Sequence, residues 1–316
     1  MAVLSPQDRA QLEDALRAYD LGPLETFAPV ERGTVNTSYA FVAGGVRHFF
    51  RLYEEQDLEG ARAEARLLFH LRAHGAKTPA PLARRDGELA GLHAGKPFAV
   101  FPFVAGDMRC QAAVTARDAG KLGAEVARLH IAARGADLKP SRFGARELGA
   151  RLDAIRLHAP RELAELVPLL TAHLSRVEAQ RARITRPPGI MIHGDLFRDN
   201  VLFDGDEIAS VLDFESAGEG HPTYDLAVAL LAFSFRDAFD WDVARALVLG
   251  YEHVLGLHSV PREALFWDAC FGAVRFSITR ITDSAMRGGR KDYRRFLSRL
   301  AALDALGPLR FEEKLA

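Results

Sequence analysis

The run Ile192-His193-Gly194-Asp195-Leu196-Phe197-Arg198-Asp199-Asn200 constrains this chain more than any other stretch. It is followed by Val201-Leu202-Phe203, then Asp204-Gly205-Asp206-Glu207, then Ile208-Ala209-Ser210-Val211-Leu212-Asp213-Phe214. The pattern is an apolar entry, a polar loop and a two-stranded hairpin that ends in a carboxylate. Asp204-Gly205 between two apolar runs is the hairpin signal. A hairpin folds its ends together, so Asp213 is expected to return close to Asn200. Asp195, Asn200 and Asp213 then converge. Phosphoryl transfer on Mg2+ needs such a set, with hard oxygen ligands for the ion and a separate carboxylate to orient the attacking hydroxyl. An Asp or Asn in a loop can also be a turn former. That explains any one of the three, but not the spacing of all three around a hairpin.

The spacing resembles that of protein kinases, in which an Asp is followed after four residues by an Asn, and later by an Asp before Phe-Gly. Asp195 and Asn200 have the first spacing, and Asp213-Phe214-Glu215 stands where Asp-Phe-Gly would. The leading His-Gly-Asp and trailing Asp-Phe-Glu are similar to the aminoglycoside phosphotransferase and choline kinase group instead.

At 316 residues the chain is long for one core and short for three domains, so two lobes are expected. The formal net charge of -1 gives no basic excess for nucleic acid and no acidic arm. The two cysteines, Cys110 and Cys270, have neither disulfide-scaffold nor zinc-site spacing. Met1-Ala2-Val3-Leu4-Ser5-Pro6 lacks the basic segment and apolar run of a signal peptide. No window is apolar enough to span a bilayer. The expectation is a soluble cytoplasmic protein, monomer or homodimer, with no nucleic-acid or membrane partner.

Ser5-Pro6 is expected to open a helix, with Ser5 as N-cap, and Gly22-Pro23 to end it. Strands are expected near residues 24–30, 38–42 and 46–53, with Gly44-Gly45 turning between the last two. The loop Glu31-Arg32-Gly33-Thr34-Val35-Asn36-Thr37-Ser38-Tyr39 can lay backbone N–H groups over phosphates, which makes Gly33, Asn36 and Ser38 nucleotide candidates. With its one glycine it reads by itself more readily as an ordinary hairpin loop, and its place ahead of the third strand and upstream of Asp195 adds weight to the phosphate reading. Arg51 is the one charge in His48-Phe49-Phe50-Arg51-Leu52-Tyr53 and must face a partner or a ligand. In kinases a cation here holds the nucleotide phosphates and pairs with a Glu on the next helix. That helix is expected over residues 56–74, with Glu64 as the partner; read alone, Glu64 sits on a solvated face. Lys96-Pro97-Phe98-Ala99-Val100-Phe101-Pro102-Phe103-Val104 reads as a buried strand broken by Ala105-Gly106-Asp107. The lobe boundary is set there, giving a nucleotide-binding lobe over 1–103 and a catalytic and substrate lobe over 104–316. In a kinase-like fold the main chain at Phe101 and Phe103 holds the adenine.

Beyond this hinge the pattern is helical, over 115–133, 146–158 and 162–184, and again from Trp241 to the end. His130 reads as a packed helix residue. Asp225 reads chiefly as a first-turn carboxylate serving the helix dipole, with bracing of the catalytic loop as a second role. Arg275, Arg280, Asp283, Arg287 and Arg290 give residues 272–294 a high charge density. Each Arg alone reads as part of a solvated face, and together they could take an anionic group, since Arg forks match carboxylates.

Over nearly its whole length the chain resembles the aminoglycoside phosphotransferase superfamily, and within it most the homoserine kinases of that fold. The matching runs are Ala18-Tyr19-Asp20-Leu21-Gly22, Gly33-Thr34-Val35-Asn36-Thr37-Ser38-Tyr39, Arg85-Asp86-Gly87, Ala94-Gly95-Lys96-Pro97, the run from Asp195 to Asp206, Val274-Arg275-Phe276 and Thr279-Arg280. The chain departs from that pattern at Glu215, where those enzymes often have Tyr, and at Val228 to Phe233, where they often have Asn and Trp. Arg51 is more typical of other superfamily members. The resemblance implies an α+β, protein-kinase-like fold with a small antiparallel-sheet N-lobe and a larger, mostly helical C-lobe. It implies ATP and Mg2+ as cofactors, Asp195 as base, Asn200 and Asp213 as metal ligands, and Arg51 on the phosphates. Arg198, Glu215, Arg275 and Arg280 are the substrate candidates. The acceptor it implies first is L-homoserine, giving O-phospho-L-homoserine. The alternatives are choline or ethanolamine, an aminoglycoside, a sugar, a protein hydroxyl, or an inactive nucleotide-binding pseudokinase.

Overall fold

Alternating apolar residues turn one face of two adjacent strands inward, and an antiparallel sheet is built on that pair. The structure is a computed structural model that describes residues 4–30, 35–137, 139–256, 260–289 and 291–316. The chain divides into a first unit, Met1–Gly106 with Ala209–Glu215, and a second, Asp107–Ile208 with Ser216–Ala316. The first unit contains α1 (Arg9–Leu16), β1 (Leu24–Pro29), β2 (Thr37–Ala43), β3 (Val46–Leu52), α2 (Leu58–Ala73), β4 (Gly91–His93) and β5 (Lys96–Pro102). Its five-stranded sheet runs in the order β1-β2-β3-β5-β4. Leu12, Leu16 and Tyr19 pack with Tyr39, Phe41, Phe50, Phe98 and Val100 in its core.

Two features of this unit differ from the sequence expectation. The first helix is capped by Asp8, not Ser5, because Asp8 and Gln11 form a reciprocal capping box. It ends at Leu16, well before Gly22-Pro23. Ser5 instead joins a polar knot, in which Lys96 donates to Ser5 at 2.6 Å and to Glu54, and Thr37 donates to Glu54 at 2.6 Å. β4 was not expected, since three residues are too few to carry a periodic signal.

The second unit is mostly helical. It contains α3 (Ala116–Ala132), α4 (Ala145–His158), α5 (Arg161–Ala164), α6 (Val167–Arg181) and β6 (Ile190–Ile192). β7 (Val201–Asp204) and β8 (Glu207–Val211) form the expected hairpin, whose last three residues belong to the first unit. β9 (Gly218–Gly220), α7 (Pro222–Phe233), α8 (Trp241–Leu255), α9 (Arg262–Asp283) and α10 (Arg294–Leu315) follow. The helix expected over 162–184 is two helices. Pro168 lies in the first turn of α6, where it cannot supply the N–H that would continue α5. α7 is buried at every residue from Tyr224 to Phe233, so it is the axis around which the other helices pack. Among the described residues no helix is long and apolar enough to cross a membrane.

α3 and α8 approach each other closely because glycine faces backbone on both sides. A Cβ on Gly123 would come within 1.8 Å of the Leu247 carbonyl oxygen, and one on Gly250 within 2.0 Å of the Gly120 carbonyl oxygen. Neither obstacle is a side chain that can swing away. Gly250→Ala is therefore expected to destabilise the protein by about 3 kcal/mol through enforced separation of the helices. Urea unfolding measures this, and a variant as stable as the parent would refute the close packing.

Candidate active site

The loop between β6 and β7 carries Asp195 and Asn200 and is fixed from below by α7. The Asp225 carboxylate accepts from the main-chain N–H of His193 and of Gly194, both at 2.7 Å. Its Oδ2 also meets His130 Nε2 at 3.0 Å, and His130 Nδ1 lies 2.9 Å from the Tyr251 hydroxyl. Asp225 is fully buried. Burial alone would raise its pKa, but the His130 hydrogen bond and charge, with the loop N–H groups, hold it below the usual carboxylate range. The helix-dipole role expected for Asp225 is thus secondary, because its oxygens serve the loop. His130 is packed, as expected, and is also the hydrogen-bond partner that holds Asp225.

Gly194 has φ +75°, and a Cβ there would lie 2.8 Å from the Ser216 carbonyl oxygen, so this step of the loop needs glycine. The backbone turns there and presents Asp195. The Asn200 amide donates to the Asp195 carbonyl at 2.8 Å and to its carboxylate at 3.3 Å. Asp195 and Asn200 therefore meet directly. With its NH2 engaged, Asn200 leaves its amide oxygen as a hard ligand.

Within the first unit a second cluster forms. Arg51 donates to Glu64 at 3.2 Å, and Glu64 is 5 % exposed. The Arg51 guanidinium also lies near the rings of Phe49, Tyr53 and Phe101. Burial works against its charge, but Glu64 first, then Tyr53, Asp213 and Glu215, raise its pKa further. Asp213 adopts a left-handed backbone, φ +66°, which Asp tolerates better than most residues. Its Oδ1 is buried and has no hydrogen-bond partner. Burial and the neighbouring Asp213 push the Glu215 carboxyl up to about 8, against the pull of Arg51. Asn36 donates to Glu215 and accepts from the Glu54 N–H at 3.1 Å. Asn36, Arg51, Glu64, Asp213 and Glu215 are thus brought together. Glu215, expected at the substrate, belongs to this group.

Other expected residues take different places. Gly33 and Arg290 lie outside the described residues. Ser38 is a buried strand residue opposite Arg51, not part of the loop. Phe101 pairs with Phe49 in the sheet, and the Phe103 N–H already donates to the Arg47 carbonyl at 3.3 Å. That N–H is not left for a base. Arg275, expected to face the substrate, is 2 % exposed and donates to the Gly194 carbonyl and, at 2.7 Å, to the Tyr224 hydroxyl. It fixes the loop from inside. Arg198 donates to the main-chain oxygens of Ala232 at 3.1 Å and Arg109 at 3.2 Å. Arg280 lies over the rings of Phe296 and Phe197, at 4.4 and 5.6 Å from their centroids.

The brace under the loop can be tested without an assay of turnover. Asp225→Asn is expected to cost roughly 3 kcal/mol at pH 7, because a buried carboxylate acceptor of hydrogen bonds from the loop N–H groups and His130 is lost. The Asp225 pKa is depressed on folding, so the stability it supplies is present above the unfolded value of about 3.9, starts to decline there and is lost as pH falls on through the lower folded value. The gap between parent and variant should therefore narrow in acid. Urea melts between pH 3 and pH 7 check this, and a gap constant with pH would contradict the sign.

Residues 26–264 match the phosphotransferase enzyme family. The chain is 35% identical over 289 residues to a homoserine kinase of Methylocella silvestris, covering 90% of this chain and 88% of that one. It is 33% identical to a homoserine kinase of Azorhizobium caulinodans, with the same coverage. Among solved structures it superposes on an amicoumacin kinase, in complex with AMP-PNP, Ca2+ and Ami, with a TM-score of 0.73 at 15% identity, covering 96% of this chain and 95% of that one. The fold is that of the aminoglycoside phosphotransferases and their kinase-like relatives, and the enzyme is a phosphotransferase with a hydroxyl acceptor. With its Asp195–Asn200 loop held on a buried carboxylate, this chain belongs to the phosphotransferase enzyme family.

Proposed function

We propose that the protein transfers the γ-phosphoryl group of ATP to the side-chain hydroxyl of L-homoserine, giving O-phospho-L-homoserine and ADP, with Mg2+ as the divalent cation. The observation that carries this reading is the Asp195–Asn200 pair, at 3.3 Å, in a chain that aligns over nine-tenths of its length with homoserine kinases. Asp195 orients the acceptor hydroxyl and takes its proton as the new O–P bond forms and the bond to the ADP leaving oxygen breaks. Asn200 holds the Asp195 carboxylate, so the base is positioned before substrate arrives.

Arg51 supplies fixed positive charge to the nucleotide phosphates and is held by Glu64. Asp213 fits a cation ligand, since its Oδ1 is a buried carboxylate oxygen with no other partner. The Asn200 amide oxygen is of the same hard type. A bound divalent cation would supply neutralisation of phosphate charge. The nucleotide end of the reaction is assigned to the first unit and the acceptor end to the second.

ADP release from ATP and Mg2+ is expected with L-homoserine and not with choline, kanamycin or a pentose. Turnover confined to one of the others would discard homoserine while keeping the chemistry. Asp195→Asn should lower kcat by roughly 10³-fold, with nucleotide affinity changed little; an active variant would sink the role of Asp195. Asp213→Ala should abolish divalent-dependent nucleotide binding in calorimetry, and unchanged binding would remove Asp213 from the metal site.

A further inference from the structure

Four arginines of the second unit gather in one region: Arg280 and Arg299 lie 4.4 and 4.9 Å over the ring of Phe296, the residue after Arg295, Arg299 donates to the Arg295 carbonyl, and Arg198 bears on the others electrostatically. Among the described residues none of them forms an ion pair with a carboxylate. Most other arginines in the chain do, as Arg51, Arg181 and Arg186 illustrate. So many unpaired guanidinium groups in one region call for an anion.

The four are not equivalent. Arg198 donates to the Ala232 carbonyl at 3.1 Å. Arg299 is buried and donates to the carbonyls of Leu231 at 2.8 Å and Phe235 at 3.2 Å. Those carbonyls belong to the last turn of α7 and the residues after it, which have no partner within the helix. Arg198 and Arg299 therefore cap α7 and are structural. Among the described residues Arg280 donates once, to the Asp292 carbonyl at 3.1 Å, out of five possible N–H donations. Its faces are occupied by Phe296 and Phe197, which leaves the in-plane edge of the guanidinium open. That edge is the geometry a carboxylate accepts in two parallel bonds. Arg295 is exposed; its carbonyl accepts from Ser298 and Arg299, and its guanidinium donates to no described residue. The carboxylates of Asp199, Asp195 and Asp292 are within electrostatic range of Arg280, but none pairs with it.

We propose that Arg280 and Arg295 form the carboxylate-binding pair of the acceptor site, so that the enzyme selects short hydroxy acids over simple alcohols. This rests on the phosphotransferase reading above and adds to it the residues that recognise the acceptor. Phe197, two residues after Asp195, packs edge-on against the buried Phe276 at 4.6 Å and lies 5.6 Å from Arg280, giving an apolar wall beside it for a short aliphatic chain. The pKa of Arg280 is pushed down to about 10, by burial first and then by Arg295, and a bound anion would relieve both effects.

The test compares L-homoserine with 3-aminopropan-1-ol, the same molecule without its carboxylate. In Arg280→Gln and in Arg295→Gln the ratio of kcat/KM for homoserine to that for the amino alcohol should fall by roughly 30-fold. The loss should appear in KM for homoserine, and Arg280→Lys should restore part of it. Arg295 is exposed, so its variant folds even if removal of Arg280 disturbs the core. Arg198→Gln should lower Tm and leave the ratio unchanged. A ratio unaltered in both the Arg280 and Arg295 variants overturns the proposal. If the parent enzyme ignores homoserine but phosphorylates L-serine or 4-hydroxybutyrate, the homoserine assignment falls and the pair stands, read on that acid against its decarboxylated counterpart. An enzyme that phosphorylates no carboxylate-bearing acceptor overturns both.

Discussion

The buried Asp225 carboxylate, shared between two loop N–H groups and His130, is the interaction on which the catalytic loop depends. A charge in that position is costly unless it is saturated with donors, and here three donors converge on it. Two come from the loop after β6 and the third from α3, so the bond network ties loop, α3 and α7 together. His130 is supplied by α3 and is itself held by Tyr251 from α8. That bond spans the α3–α8 crossing, where Gly123 and Gly250 let the backbones touch. The sequence from helix packing to base position is therefore short. Glycine allows the crossing, the crossing aligns His130 with Tyr251, His130 holds Asp225, and Asp225 holds the loop that presents Asp195. Arg275 completes the restraint from another side by binding the Gly194 carbonyl and the Tyr224 hydroxyl.

In the first unit the governing term is charge balance. Glu64, Asp213 and Glu215 surround one guanidinium, Arg51, so negative charge is in excess. Burial and the neighbouring Asp213 push the Glu215 carboxyl up to about 8, which lessens that excess. It is also concentrated at Asp213, whose left-handed backbone and unpartnered oxygen are both unfavourable by themselves. These two features are what support the proposed role of Asp213 as a cation ligand. Glu64 is hydrogen-bonded to Arg51 and to Gln56, yet its charge still contributes to the upward shift of Glu215.

Much of this could be read from the sequence because the informative residues lie close together along the chain. The hairpin after Asn200 and the Arg51–Glu64 pair depend on local turns and on one charge in an apolar strand, both of which leave a sequence signature. Asp225 was visible as a first-turn acid, but its main partners are some thirty residues upstream, and nothing in the local pattern separates loop bracing from helix capping. His130 lies ninety-five residues from Asp225 and could not be linked to it by spacing. Arg275 misled for a similar reason: an Arg in a helix rich in arginines reads as a surface charge, whereas tertiary packing buries it beneath the loop. The proline at position 168 was a local signal that the amphipathic pattern overrode, and the resulting break between α5 and α6 follows from its missing N–H.

The arginines of the second unit also bear on which acceptors the enzyme can exclude. Guanidinium groups need no proton equilibrium to stay charged near neutral pH, even with the Arg299 pKa pushed down to about 9 by burial and by its arginine neighbours. A polycationic acceptor approaching Asp195 would meet several fixed positive charges, and its own charge would be desolvated without a counter-ion. An acceptor with a carboxylate would meet the opposite situation, since its negative charge replaces water around Arg280 and Arg295 and reduces the repulsion among all four arginines. The same residues therefore favour one class and penalise the other, which is how specificity is obtained when a small acceptor offers few atoms to recognise. The capping of α7 by Arg198 and Arg299 adds a geometric condition. Because two of the four are fixed on main-chain oxygens, the positive field around the pair is anchored to the same buried helix that carries Asp225. The proposed base and the proposed acceptor-selecting field are thus both tied to one element, α7.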